Sequence, residues 1–196
     1  MRGKNLRMCL SKVSHMNGGS MNLQDFEDMV EKMESDIYGF CLYLTRDRNQ
    51  ADDLYQETIL KLIEVRGRID MGNNPKSYML AVAISIWKNE LRREARRQKI
   101  APQQEYDNIS EYVKDGKEGP EGLVVRTEEQ NMLLNAVESL DDKFRIVLIL
   151  FYYNHTAQDE IAKICNIPKG TVKSRLYKGR ELVKKILIKE GYVYEK

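Results

Sequence analysis

The fold is decided by one stretch, IAKICNIPKGTVKSRL, which spans residues 161–176. Apolar residues recur at helical spacing before Cys165-Asn166, and Val172 and Leu176 continue the buried side four residues apart. A tight turn must fall between the two sets, and asparagine tolerates the left-handed backbone that such a turn often needs. The stretch therefore predicts two short helices joined by a turn, a helix-turn-helix.

The second of these helices carries a basic and hydroxyl-bearing face opposite its apolar side. Lysine and arginine can meet guanine acceptors or phosphates, while threonine and serine offer flexible hydrogen bonds. The candidate nucleic-acid contacts are Lys169, Thr171, Lys173, Ser174, Arg175, Lys178 and Arg180. An ordinary amphipathic hairpin with a solvated basic face is the alternative, but the turn, the apolar set and the basic face together favour a recognition helix.

Charge is unevenly distributed along the 196 residues, although the net charge is only +2. Basic residues collect in 88–99 and in 169–189, and acidic residues collect elsewhere. Two separated basic segments predict two separated phosphate contacts. The length leaves room for one large or two small domains.

The three cysteines, Cys9, Cys41 and Cys165, are widely spaced and form no CxxC pair. This usage argues against a zinc site or a disulfide framework and fits a reducing cytoplasm. Buried structural cysteines are the favoured interpretation, with a redox-active cysteine as the alternative. No apolar run approaches the roughly 20 residues of a membrane span, so direct membrane insertion is not expected.

Periodicity divides the chain into four segments. Two of them show helical spacing of apolar residues, and a third mixes scattered acids with proline and glycine, which is typical of a flexible linker. No strand pattern competes, so we expect an all-α protein of two small helical domains. The segments are a flexible leader at 1–22, a helical domain at 23–99, an acidic linker at 100–126 and the helix-turn-helix domain at 127–196, with Met1 and Met21 as alternative starts.

Local signals predict where the helices begin. We expect a first helix from Leu23, a second from near Ala51 after a polar break, and a third over about 76–98. Thr127 begins a capping-box pattern that opens the second domain. Thr156 begins a second cap-like sequence, which would start the first helix of the helix-turn-helix.

Three segments, in this order, resemble the extracytoplasmic-function sigma factors, a class of small bacterial RNA polymerase sigma subunits. They are DDLYQETI at 52–59, an apolar-then-basic segment at 75–93, and the run from Ser139 to Arg175 together with Arg180. The resemblance implies a subunit that brings core RNA polymerase to promoters and melts promoter DNA. It implies no catalytic residue, cofactor, metal or small-molecule substrate, and it implies control by an anti-sigma factor, which in this family is usually membrane-linked.

The acidic segment is the part that the resemblance directs to the polymerase. Asp53, Gln56 and Glu57 are three and four residues apart and share one helical face. In the family this face docks on the clamp helices of the β′ subunit, and the β flap is a second expected contact. A solvated acidic face is the alternative. The expected polymerase-binding set is Asp52, Asp53, Gln56, Glu57 and Lys61.

The loop and helix that follow are expected to read the downstream promoter element, the −10 box. Glycine and asparagine suit close backbone approach to an extruded base, and the arginines can meet phosphates. Tyr78 and Trp87 could stack on bases, but their spacing favours core positions. The family often has tryptophan where Tyr78 stands and asparagine where Ser85 stands. The expected set is Gly72, Asn73, Asn74, Lys76, Tyr78, Ser85, Lys88, Asn89, Arg92, Arg93 and Arg96.

By the same resemblance the helix-turn-helix reads the upstream −35 box. Pro168 stands where the family commonly has a capping side chain, so one cap is expected to be lost. The linker would thread through the polymerase toward the RNA exit channel, and a passive solvated tether is the alternative. Its acidic residues are Glu105, Asp107, Glu111, Asp115, Glu118 and Glu121.

Two other functions fit parts of the sequence. A stand-alone transcriptional regulator would bind duplex DNA through the helix-turn-helix, would never join polymerase and would not need Asp53, Gln56 and Glu57. A nuclease would use Asp52, Asp53 and Glu57 as ligands for Mg²⁺. No second carboxylate cluster or lysine–histidine constellation accompanies them, which argues against the nuclease.

Overall fold

The computed structural model describes residues 23–66, 69, 74–100 and 127–192. The regular elements of these residues are all helical, so the all-α prediction is confirmed. The expected leader, the linker residues 101–126, Gly72 and Asn73 lie outside the described residues. The helices are α1 (Leu23–Thr45), α2 (Arg48–Glu64), α3 (Pro75–Ile100), α4 (Glu128–Glu138), α5 (Asp142–Leu148) with a π-helical turn at Ile149–Tyr153, α6 (Gln158–Cys165) and α7 (Lys169–Lys189).

The first three helices pack on one another around apolar side chains. α1 buries Phe26 and Phe40 completely, α2 buries Leu62, and α3 adds Met79 and Leu80. These residues recur at the three- and four-residue spacing of an amphipathic helix. Full burial of such a side chain stabilises the fold by roughly 1.5–3 kcal/mol, so this core fixes the relative positions of α2 and α3.

The second helix begins earlier than the sequence predicts. It starts at Arg48 and not near Ala51, because Asp47 serves as its N-cap and accepts a hydrogen bond from the Gln50 backbone N–H at 2.8 Å. The break from α1 is confined to two residues, with Arg46 in the left-handed region at φ 64°. The expected polar break, DRNQ at 47–50, therefore includes the cap and the first turn of α2.

The two caps predicted in the second half have different outcomes. The capping box is confirmed, since Thr127 Oγ1 accepts from the Gln130 N–H at 3.3 Å and Gln130 Oε1 accepts from the Thr127 N–H at 3.1 Å. The predicted cap at Thr156 is wrong. Ala157 occupies the N-cap of α6, and the buried Thr156 instead donates its backbone N–H to the Leu150 carbonyl at 2.9 Å. Leu150 belongs to the π-helical turn, so the Thr156 backbone bonds to that turn and not to α6.

The helix-turn-helix forms as predicted. Asn166 adopts the left-handed conformation (φ 52°, ψ 54°), and the Ile167 N–H closes the turn on the Ala162 carbonyl at 3.0 Å. Pro168 then occupies the N-cap of α7 without a side-chain cap, so the predicted loss of a cap is confirmed. Val172 is completely buried, which holds α7 against α6.

The two halves of the described chain also touch each other. α3 packs against α6, and α1 packs against the π-helical turn. The Tyr43 and Tyr153 rings lie edge to face at this junction, with 4.8 Å between their centroids. The sequence contains no local signal for these contacts.

Candidate polymerase and nucleic-acid interfaces

The acidic face of α2 is open to solvent. Asp53 and Glu57 are exposed and Gln56 is half-buried, while the opposite side of the helix faces the core. Asp52 turns toward α1, where it accepts a hydrogen bond from the Tyr38 hydroxyl at 2.7 Å. Lys61 pairs with Glu64 at 2.7 Å along the exposed surface. Asp53 and Glu57 therefore present two carboxylates one turn apart to a potential basic partner.

Leu60 belongs to the same surface and escaped the sequence prediction. Its side chain is 38% exposed, three residues after Glu57 on a helix whose other leucines are buried. The sequence does contain a signal for this exposure, because Leu60 is an apolar residue that falls outside the spacing of the buried residues of α2. A carboxylate pair beside an exposed leucine offers both orienting charge and apolar contact area to a partner.

Asn74 is held at the beginning of α3. Its backbone lies in the left-handed region at φ 49°, and its Oδ1 accepts from the Ser77 N–H at 3.3 Å. Its amide nitrogen donates to both oxygens of Glu160, at 2.8 and 2.9 Å. Lys76, from the same predicted set, forms an ion pair with Asp36 at 2.5 Å. The polar groups of both residues are thus engaged by other parts of the chain.

The two aromatic residues of α3 differ in exposure. The expectation that Tyr78 is a core residue is wrong, because its side chain is 38% exposed. Trp87 is half-buried, and among the described residues its buried Nε1 has no hydrogen-bond partner. Tyr78 directly precedes the completely buried Met79 and Leu80, so its side chain lies at the edge of the buried side of α3.

The second half of α3 is a continuous polar and basic surface. Ser85, Asn89, Arg92 and Arg96 are all exposed, and their spacing of four, three and four residues sets them on one helical face. Arg92 Nη1 donates a hydrogen bond to Asn89 Oδ1 at 3.3 Å. The remaining predicted residues lie beside this face: Lys88 is half-buried, and Arg93 pairs with Glu90 at 3.3 Å. The face is geometrically suited to follow a phosphate backbone.

The exposed face of α7 gathers most of the predicted contacts. Lys173, Ser174 and Lys178 are exposed, and Thr171 and Arg175 are half-buried. Two residues of the predicted set instead contact other side chains of region 158–180 or of the π-helical turn. Lys169 pairs with Asp159 at 2.7 Å, and Arg180 extends toward the Tyr152 hydroxyl at 3.4 Å.

Tyr177 was missed by the sequence analysis. Its side chain is 62% exposed on α7, four residues after Lys173 and three before Arg180. A large apolar ring so open to solvent beside basic residues can contact a sugar or base edge. The signal was its position outside the buried spacing of α7.

A groove of about 640 Å³ opens between α4, α5 and α7. Its lining is mostly apolar, and the charged residues among it include Glu138, Arg180, Glu181 and Lys184. Leu133, although it follows the helical apolar spacing of α4, is 46% exposed at this groove. The apolar lining includes Leu133, Val137, Leu148, Ile149, Val183 and Leu187. Such a groove has the form that receives the apolar face of a partner helix.

The described cysteines are structural. Cys41 and Cys165 are free and buried, as the sequence predicts, and Cys9 lies outside the described residues. Burial raises the pKa of the Cys41 thiol to about 12. Burial also raises the pKa of Cys165, against the opposing positive charges of Lys88 and Arg175.

Two features of the described residues bear on other classes of protein. No three histidine, cysteine, aspartate or glutamate side chains come together there in a way that could hold a metal ion. None of the helices described is both long enough and apolar enough to cross a membrane.

Comparison with known families assigns both halves. Residues 29–97 match the family model of Sigma-70 region 2, and residues 130–183 match that of Sigma-70 region 4. ECF RNA polymerase sigma factor SigW of Bacillus subtilis is 28% identical over 166 residues, which cover 83% of this chain and 88% of that protein. The chain belongs to the extracytoplasmic-function sigma factors. RNA polymerase sigma-H factor of Pseudomonas aeruginosa is 26% identical, with 83% of this chain and 86% of that protein covered.

The fold of this sigma factor also matches a solved structure. The sigma factor RpoE from Bartonella quintana, crystallised in complex with the anti-sigma factor NepR, superposes with a TM-score of 0.70 at 20% identity. The match covers 85% of this chain and 98% of that chain. Below, region 2 denotes α1–α3 and region 4 denotes α4–α7.

Proposed function

We propose that this sigma factor docks on core RNA polymerase through Asp53, Glu57 and Leu60 on α2, with Asp52, Gln56 and Lys61 at the edge of the contact. The observation that carries the proposal is the exposed carboxylate pair in a domain that matches Sigma-70 region 2. Arginines on the clamp helices of β′ would pair with these carboxylates. Charge-assisted pairing of this kind orients the partners as well as attracting them.

We further propose that α3 reads the −10 element. The exposed face of Ser85, Asn89, Arg92 and Arg96 supports contact with the phosphates and base edges of the separated strand. Exposed Tyr78 is available to stack on an unpaired base. The loop that ends at Asn74 would hold an extruded base.

The proposed reader of the −35 element is α7. Lys173, Ser174 and Lys178 are exposed on the second helix of the helix-turn-helix, which is the element that enters the major groove in this motif. Lysine and serine can hydrogen-bond to base edges or phosphates from this position. Tyr177 and Arg180 extend the same surface toward the groove.

The groove of region 4 is the proposed contact for a helix of the β flap or of an anti-sigma factor. Its mostly apolar lining suits the apolar face of an amphipathic helix, and its charged residues of both signs could pair with polar side chains at the edges of that helix. The related fold of RpoE was solved with an anti-sigma factor bound, which supports this form of control here. The protein would act with polymerase in the cytoplasm, without catalytic chemistry of its own.

The proposal is tested with core RNA polymerase that lacks any sigma subunit. Run-off transcription is measured on a fragment that carries the region upstream of this protein's own gene, with wild type and Glu57→Lys. The variant replaces a carboxylate that would attract the β′ arginines with an ammonium group that would repel them. Its affinity for core polymerase should therefore fall about tenfold or more. Start-site-specific transcripts should be lost in proportion.

The matched control is Glu31→Lys, the same charge change at an exposed position on α1 of region 2. It should leave both core binding and transcription near wild type. Equal losses in both variants would mean that net charge, and not the face of α2, controls binding. Binding to duplex DNA without any complex with core would contradict the proposal and favour a stand-alone regulator.

A further inference from the structure

Tyr38 of α1 contacts α2 beside its acidic face through both its ring and its hydroxyl. The hydroxyl donates a hydrogen bond to Asp52 Oδ1 at 2.7 Å. The ring lies edge to face against Tyr55, with 5.7 Å between the two centroids and 80° between the planes. Asp52 and Tyr55 are three residues apart and therefore lie on one side of α2. A single side chain of α1 thus holds two neighbouring positions of that helix.

The acidic face of α2 has two rows that differ in exposure. Asp52 and Gln56, four residues apart, are half-buried, whereas Asp53 and Glu57, also four residues apart, are exposed. The Tyr38 hydroxyl bonds to the half-buried row. The segment therefore contains three carboxylates within two helical turns, but one of them is already engaged by a donor inside region 2.

The bond between Tyr38 and Asp52 has the geometry of a strong hydrogen bond. Its oxygen–oxygen distance of 2.7 Å is in the range of a hydroxyl that donates to a carboxylate. Tyr38 is only 8% exposed, so little water competes for its hydroxyl. Because the ring is already fixed by burial and by Tyr55, little further side-chain entropy is lost when the hydroxyl meets the carboxylate. The bond therefore keeps Asp52 turned toward α1.

This bond reduces what Asp52 can contribute to a basic partner. To turn fully toward an arginine of the polymerase, Asp52 would have to leave the Tyr38 hydroxyl, and a buried hydroxyl that loses its acceptor is unfavourable. That loss offsets much of the modest gain from an exposed ion pair. Asp53 and Glu57 are exposed and lie outside this exchange.

We propose that Tyr38 is a positioning residue of the polymerase-docking face: its hydroxyl holds the Asp52 carboxylate against α1, so that α2 offers polymerase two carboxylates and not three. A residue that does not itself touch the polymerase thereby sets the strength of the electrostatic attraction. This inference rests on the proposed function, since it assumes that the acidic face of α2 meets basic side chains of core polymerase.

The first test measures the affinity of the full chain for core polymerase that lacks any sigma subunit, at low and at high salt. Tyr38→Phe keeps the ring and removes the hydroxyl, which frees Asp52 to pair with the polymerase. The affinity should rise about threefold at low salt, as one additional exposed ion pair would give. The rise should disappear at high salt, because exposed charges are screened there. A change in the packing of α2 alone would not produce a gain that depends on salt.

A change at Asp52 shows whether this carboxylate carries the gain. Asp52→Asn keeps an oxygen that accepts from the Tyr38 hydroxyl but removes the charge. With Tyr38 present it should weaken core binding by less than about twofold, whereas Asp53→Asn, the same change at the exposed neighbour, should weaken it about fivefold. In the Tyr38→Phe chain, Asp52→Asn should remove the whole threefold gain.

Tyr55→Phe is the matched control for the hydroxyl. It removes a hydroxyl from the other ring of the same pair and leaves the bond between Tyr38 and Asp52 in place. Its affinity for core should equal that of wild type at both salt concentrations. A gain in Tyr38→Phe that is absent or is matched by Tyr55→Phe would overturn the proposed role of Tyr38. A loss in Asp52→Asn as large as that in Asp53→Asn would overturn it as well.

The second test examines the bond without polymerase, by urea unfolding of Tyr38→Phe, Asp52→Ala and the double variant. Both single changes break the same bond, so the second change should alter the unfolding constant about tenfold less than it does in wild type. Additive losses would show that the two groups do not interact in solution and would overturn the proposal. Coupled losses in a chain that never binds core would instead refute the proposed sigma function, and with it the docking role of Tyr38, while the bond itself stands.

Discussion

Gly179 lies where α7 contacts Leu148 of α5, and it provides a direct test of how region 4 is packed. A Cβ built on Gly179 would lie 3.0 Å from Leu148 Cδ1 and 3.2 Å from its Cγ. Leu148 is buried and lines the groove proposed for partner helices. Gly179→Ala therefore forces either Leu148 or α7 to move.

Two opposing effects set the size of the change. Alanine in place of glycine inside a helix stabilises it by roughly 0.5–1 kcal/mol. Overpacking of a well-packed core costs about 1–3 kcal/mol. Because Leu148 is buried and its nearest carbons are too close, we expect a net loss of about 1 kcal/mol. Gly170 on the same helix has nothing within 4 Å of its built Cβ, so Gly170→Ala should be neutral or stabilising.

The assay is urea unfolding of the full chain, followed by circular dichroism, with both single variants. A third comparison places Gly179→Ala in a Leu148→Ala background. There the added methyl has space, so its effect should change sign and become stabilising by about 0.5–1 kcal/mol. If Gly179→Ala is as stable as Gly170→Ala in the wild-type background, helix propensity outweighs the contact and the packing argument is refuted.

The other two predictions concern the turn and the thiols. Asn166→Ala should destabilise the chain by about 1–2 kcal/mol in urea unfolding because φ is 52° there, whereas Asn166→Gly should not; equal losses would contradict the backbone explanation. In a Cys9→Ser chain, Cys41 and Cys165 should react with Ellman's reagent at pH 8 only after unfolding. A raised pKa favours the protonated thiol in the folded state. The contribution of Cys41 to stability is thus complete below pH 9.0 and is lost as the pH rises toward 12, and rapid labelling of two native thiols would contradict the observed burial.

Local patterns were sufficient for the elements themselves. The apolar spacing before and after Asn166 predicted the helix-turn-helix, and the residue type predicted its left-handed turn. Thr127 and Gln130 predicted a capping box because the two partners are three residues apart. A local signal failed where the residue found another partner. Thr156 was predicted to cap α6, but its backbone N–H bonds to the π-helical turn and Ala157 occupies the N-cap.

Exposure was harder to predict than helicity. Tyr78 and Leu133 both lie at positions with helical apolar spacing, and both are exposed. Whether an apolar stripe is covered depends on the length and angle of the neighbouring helix. That information is not contained in the stripe, so the exposed ring of α3 and the groove of region 4 escaped the sequence analysis.

The sequence by itself determined the helical class, the order of the two regions and the acidic face of α2, because each depends on residues three or four positions apart. Only the tertiary structure decided what Asn74 and Glu160 do. They are 86 positions apart, and their contact arises from the packing of α6 on α3. Arg145 of α5 is likewise buried, with a hydrogen bond to the Leu44 carbonyl of α1 that joins residues 101 positions apart. Contacts over such distances depend on how whole helices fit together, and no local pattern specifies that fit.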